Sequence, residues 1–169
     1  LRISERDWDD TITVNLKTLE GCQEVLKQVQ AKFGRCDILV NCAGATRAGN
    51  FVDLPDEAWM DGYALKFFGG VRMCRLFWPM LKAAQGHVVN IIGGAARTPG
   101  ADFTIGGSVN AAFGNFSKSL SQLGKRDGVN VNAIHPGATD TERWGELLEQ
   151  RAKASGKSVD DVLEANKAF

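Results

Sequence analysis

Three short apolar runs, Cys36 to Val40 (CDILV), His87 to Ile92 (HVVNII) and Val129 to Ile134 (VNVNAI), alternate with longer stretches of helical periodicity, and this alternation constrains the fold more than any other feature. Strands joined through helical crossovers lie parallel, and a parallel sheet stacks those helices on its faces. A further strand is expected at Thr11 to Leu16 (TITVNL). After it, Leu19, Val25, Leu26, Val29 and Phe33 recur at spacings near three and four, predicting a helix from Thr18 to Phe33 that Gly34 ends. A second helical segment runs from Asp56 to about Ala84, with Pro79 as its expected kink or break. A third spans Ser108 to Leu123 and exits through Asp127-Gly128, and two charged helices, about 142 to 155 and 158 to 168, follow the last strand. The layout is α/β, a doubly wound parallel sheet with helices on both faces.

With 169 residues, 44% apolar and 24% charged, the chain has the composition of a globular domain, and residues 1–169 read as a single one. Twenty basic residues against twenty acidic ones leave no net field to attract nucleic acid or an anionic membrane. No run approaches the roughly 20 apolar residues of a membrane span. Cys22, Cys36, Cys42 and Cys74 form no C-x-x-C pair and sit among apolar residues, as expected of reduced, mostly buried thiols in a cytoplasmic protein. With His87 and His135 as its only histidines, the chain is not expected to hold a histidine-rich metal centre. Ligands of doubly wound sheets bind beyond the carboxyl ends of the strands, which selects Asn41 to Gly49, Gly93 to Gly107 and Pro136 to Thr141. All three segments are rich in small residues that leave room for a flat ligand.

At Asp37-Ile38-Leu39-Val40-Asn41-Cys42-Ala43-Gly44 the chain resembles the N-N-A-G segment of the classical short-chain dehydrogenases/reductases, the family that includes the 3-oxoacyl-acyl-carrier-protein reductases. The resemblance continues in order through Pro79-Met80, His87-Val88-Val89-Asn90-Ile91, Asn110-Ala111-Ala112 and Val131-Asn132-Ala133-Ile134-His135-Pro136-Gly137. It implies a Rossmann-like fold, NAD or NADP as cofactor, a small-molecule substrate and a homodimer or homotetramer, with no nucleic-acid or membrane partner. Two parts of the family pattern are missing. No two of the nineteen glycines are separated by one residue, so the G-x-x-x-G-x-G turn that faces the cofactor pyrophosphate is not in this sequence. The family's last strand and acidic-Gly-Gly end also have no counterpart before Phe169. The chain is therefore expected to be an incomplete version of the fold, the middle and most of the end of a longer protein.

The resemblance implies cofactor contacts at Asn15 and Leu16 beside the adenine and at Asn41, Ala43 and Gly44 beneath its ribose. It implies others at Ile91 and, against the nicotinamide carboxamide, at Pro136, Gly137, Thr139 and Thr141. The family's catalytic Ser, Tyr, Lys and Asn positions fall on Gly93, Gly106, Asn110 and Lys66. Lys66 and Asn110 thus exchange two family residues across one site. In one reading Lys66 holds the ribose or relays a proton, pointing into the crevice beside Gly106 and within reach of Asn110, which keeps a polar role. In the other, Lys66 is a solvated helix residue and Asn110 a helix-start residue in a site without turnover. Ser108, the hydroxyl nearest the absent Tyr, is either a chemical group or a helix N-cap. Two functions remain open, an NAD(P)-dependent oxidoreductase acting on a carbonyl or alcohol and a catalytically silent dinucleotide-binding or scaffold protein.

Overall fold

The computed structural model describes residues 14–137 and 142–167. Among them, β1 (Ile38–Asn41), β2 (His87–Ile91) and β3 (Asn130–Ile134) form a parallel sheet in the order β1-β2-β3. Leu39 is in register with Val88 and Val88 with Val131, while Asn41 aligns with Asn90 and Asn90 with Ala133. Helix α1 (Leu19–Phe33) precedes β1; the Thr18 hydroxyl caps it by accepting from the Gly21 N–H, and Gly34 closes it at φ 67°. The crossover to β2 consists of α2 (Asp56–Tyr63), a π-helical turn (Ala64–Gly69) and α3 (Gly70–Ala84). Helix α4 (Thr104–Asp127) crosses to β3, and α5 (Glu142–Ser155) and α6 (Val159–Lys167) follow.

The core joins Cys22 of α1 and Met73, Cys74, Phe77 and Leu81 of α3 to Leu39 and Val88 of the strands and Val129 just before β3. These residues lie on one face of the sheet. On the other face Ile38, Val40 and Ile134 are 61%, 55% and 49% exposed. The α/β class is as expected, but among the described residues the helices cover the face bearing Leu39 and leave the opposite face open. A polar network crosses the covered face. The Asn41 amide donates to Asn90 Oδ1 at 2.8 Å, the fully buried Asn90 amide donates to Ser117 Oγ at 2.8 Å, and Ser117 donates to the Phe113 carbonyl at 2.7 Å.

Several sequence expectations need correction. Within the expected strand at 11–16, Val14, Asn15 and Leu16 are not in a strand, and residues 11–13 lie outside the described part. Asn15 instead accepts from the Lys17 and Thr18 backbone amides, forming the turn that starts α1. Pro79 does not break α3. The carbonyl it deprives of a partner belongs to Arg75, and both residues are exposed, so water can satisfy it. The irregularity falls at residues 64–69, just before Gly70 lets the helix pass close to α4; a Cβ at Gly70 would sit 2.4 Å from the Phe113 ring. Helix α4 begins at Thr104 rather than Ser108, taking in Gly106 and Gly107, which are buried against neighbours instead of forming a loop. Cys22 and Cys74 are buried and Cys36 is half-buried, but Cys42 is exposed.

Candidate functional site

The loops that leave β1, β2 and β3 meet as the walls of one cavity of about 900 Å³. Gly44 and Thr46 come from the first loop, Gly93, Gly94 and Phe103 from the second, and Pro136 and Gly137 from the third. Lys66 and Asn110 complete the inner wall, and Trp144, Leu147 and Arg151 of α5 form the outer one. Gln150 and Arg151 fasten α5 across the opening. The Gln150 side-chain oxygen accepts from the Ala48 N–H at 3.1 Å, and Arg151 lies 3.2 Å from Asp102 and 5.1 Å above the Phe103 ring.

Gly93, Gly106 and Asn110, three of the four positions onto which the sequence resemblance puts a catalytic set, form a closed unit. Asn110, 4% exposed, accepts from the Gly93 N–H at 2.6 Å and donates to the Gly106 carbonyl at 2.7 Å. A Cβ on Gly106 would lie 2.0 Å from the Phe103 ring, so that ring occupies the space a side chain there would need. A Cβ on Gly93 would come within 3.2 Å of both Asn110 amide heteroatoms. The polar group of Asn110 is committed to backbone, and the Ser and Tyr positions present only main chain.

Lys66 sits in the π-helical turn with its stem laid over Gly44; a Cβ on that glycine would be 2.8 Å from Lys66 Cδ. The side chain is half-buried. Burial holds its pKa below the ordinary lysine value, with the charge of Cys42 acting in the opposite sense. No hydrogen bond joins Lys66 to Asn110, whose amide engages Gly93 and Gly106.

Among the residues expected to contact a cofactor, Gly44, Pro136 and Gly137 line the cavity. Asn41 lies beneath it with its amide bonded to Asn90. Ala43 and Ile91 are not among the lining residues, and Leu16 packs on the core. Thr139 and Thr141 lie outside the described residues. Ser108 is neither an N-cap nor a cavity group; it lies inside α4 with its hydroxyl donated to the Ile105 carbonyl. Phe103, Arg151 and Gln150 were not foreseen. The one sequence signal near them is the glycine doublet at 106 and 107 inside a helical pattern, a mark of close approach.

A family model described as short chain dehydrogenase matches residues 2–152. The uncharacterized oxidoreductase YvrD of Bacillus subtilis is 30% identical over 133 residues, covering 78% of this chain and 51% of that protein. The 3-oxoacyl-[acyl-carrier-protein] reductase FabG of Escherichia coli is 31% identical over 148 residues, 83% of this chain and 59% of that one. The chain thus spans about half the length of the first curated relatives it matches. L-sorbose reductase from Gluconobacter frateurii, solved with NADPH and L-sorbose, superposes with a TM-score of 0.79 at 29% identity, over 91% of this chain and 59% of that one. A short-chain dehydrogenase from Streptomyces avermitilis, at 24% identity and TM-score 0.72, covers 93% of this chain and 65% of its own.

Proposed function

We propose a function from a plain premise: the chain belongs to the short chain dehydrogenase family. The whole protein is an NAD(P)-dependent oxidoreductase of a small carbonyl or alcohol, cytoplasmic in keeping with its free thiols, and the described cavity is where nicotinamide and substrate meet. The carrying observation is the convergence of three strand-end loops on one cavity, with Gly44, Gly93, Gly94 and Gly137 in its walls. No Cβ crowds that space, and nothing lies within 4 Å of where one would stand on Gly137. These residues fit the flat ring and ribose of a nicotinamide nucleotide, whereas a glycine cradle for the pyrophosphate is not among residues 1–169.

Bound nicotinamide would supply the hydride. Gly93, Gly94, Pro136 and Gly137 would bound the ring, α5 would exclude water, and Lys66 would hold a ligand oxygen or pass it a proton at Nζ. Asn110 acts here only by fixing the loop after β2 to α4. That closed set also favours a second reading, a silent dinucleotide-binding protein, because Phe103 and Asn110 fill the ground of the family's proton donor. Titrating the full-length protein with NADH and NADPH by tryptophan quenching, then following reduced-nicotinamide absorbance with a panel of aldehydes and ketones, separates the readings. Binding with oxidation is the expected result. Binding without oxidation establishes the silent protein, and failure to bind either nucleotide overturns both.

A further inference from the structure

An ammonium taken partly out of water costs hydration free energy, and folded proteins ordinarily offset that with a carboxylate. The cavity offers Lys66 none. Asp102 on the same wall faces Arg151 at 3.2 Å, and Asp161 accepts from the Ser158 hydroxyl at 2.6 Å and from its N–H at 3.3 Å. Among the described residues Lys66 Nζ has no hydrogen-bond or salt-bridge partner. Of the other cations on the wall, Arg151 is engaged by Asp102 and Phe103, and Lys157 is exposed.

The Lys66 stem lies directly over Gly44. Its Cβ, Cγ and Cδ lie 3.2, 3.0 and 2.8 Å from the place a Cβ would take on Gly44, so only glycine at 44 leaves it that path. The π-helical turn fixes where the path starts. A partnerless cation is thereby directed along a glycine floor into a ligand-sized cavity. We propose that Lys66 anchors an oxyanion, a carboxylate or a phosphate, carried by whatever occupies that cavity. This deepens the oxidoreductase reading and rests on it. Two sources carry the chemistry, a carboxylate on the substrate and a phosphate of the nucleotide.

The test uses the full-length protein. Amine-directed acetylation is mapped by mass spectrometry at Lys66 and, as an internal reference, at Lys157, with pyruvate, inorganic phosphate or NADPH added against chloride at equal ionic strength. Affinities for the same probes are measured in wild type, Lys66→Met and Lys66→Arg. At least one probe is expected to slow labelling of Lys66 by about ten-fold while sparing Lys157. Its affinity should fall about ten-fold in Lys66→Met and recover in part in Lys66→Arg, as for loss of one charge-assisted contact. Protection by pyruvate with NADPH affinity unchanged in Lys66→Met assigns the substrate's carboxylate; protection by phosphate or NADPH assigns the nucleotide. Labelling indifferent to all three probes, with Lys66→Met keeping wild-type affinities, overturns the proposal. If NADPH still binds in that case, the oxidoreductase reading survives; if no nucleotide binds, both fail.

Discussion

Lys66 and Asn110 stand on helical segments that border the same cavity, yet Asn110 spends its amide on backbone while Lys66 keeps its ammonium unpaired among the described residues. The difference has a consequence for stability. Burial lowers the Lys66 pKa in the folded chain below its ordinary 10.5, so the folded state binds that proton less tightly than the unfolded state does. Below the folded value both states are charged and folding bears the full desolvation cost; as pH rises from the folded value towards 10.5, the cost is relieved. Lys66→Met is therefore expected to be more stable than wild type at about pH 7, with a gain that shrinks by about pH 10. Urea midpoints of both proteins across that range check it, and a gain that grows with pH refutes it. The resemblance implied a role for Lys66 by its position, and the structure places that residue on the cavity wall. What Asn110 bonds to was not legible, since its partner Gly93 N–H arrives from the loop after β2 and is brought there only by the sheet. The displacement of a side chain at 106 by Phe103 was hidden for the same reason.

Between elements, a polar chain runs from Asn41 through Asn90 to Ser117 and couples β1, β2 and α4 beneath the cavity floor. Asn90 is fully buried and serves as both acceptor and donor, so Asn90→Ala removes two buried hydrogen bonds at once, leaving the Asn41 amide with Cys74 Sγ and the Ser117 hydroxyl with the Phe113 carbonyl. A loss of about 2 to 4 kcal/mol is expected, read from urea unfolding of the full-length protein at unchanged m-value. A loss below about 0.5 kcal/mol would show that water replaces the network. Element types were legible where periodicity and caps agreed: Thr18 and Gly34 delimit α1 as expected, and Gly128 at φ 75° ends α4. The helical start at Thr104 was not, because Gly106 and Gly107 read as chain breakers when only the fold shows them pressed against Phe103 and Pro99. Pro79 misled in the opposite direction: its effect depends on which side of α3 faces water, and that is settled by packing.

Across the molecule, the described residues bury their apolar surface unevenly. Phe77 and Phe113 are 2% and 1% exposed inside the chain, and Phe67 and Phe116 pack against Phe113. Phe68 remains 46% exposed on the helical side, with Arg72 over its ring. The larger opening is the sheet face carrying Ile38, Val40 and Ile134, each about half-exposed or more. Helices cover the other face because Leu39, Val88 and Val131 turn towards α1, α3 and α4, and the two-residue period of a strand sends the alternate apolar residues outward. An apolar sheet face in water favours association, and lysine opposes pairing of such surfaces at little cost in folding where the position is already exposed. The 169-residue chain on its own is thus expected to elute as an oligomer or larger species, and Val40→Lys with Ile134→Lys should shift it towards the monomer without loss of helical circular dichroism. Size-exclusion chromatography with light scattering decides the matter. A wild-type chain that is monomeric at micromolar concentration and unfolds in one cooperative step would mean that the open face is tolerated in water, and a double variant as associated as wild type would move the contact to the exposed side of α3 around Phe68.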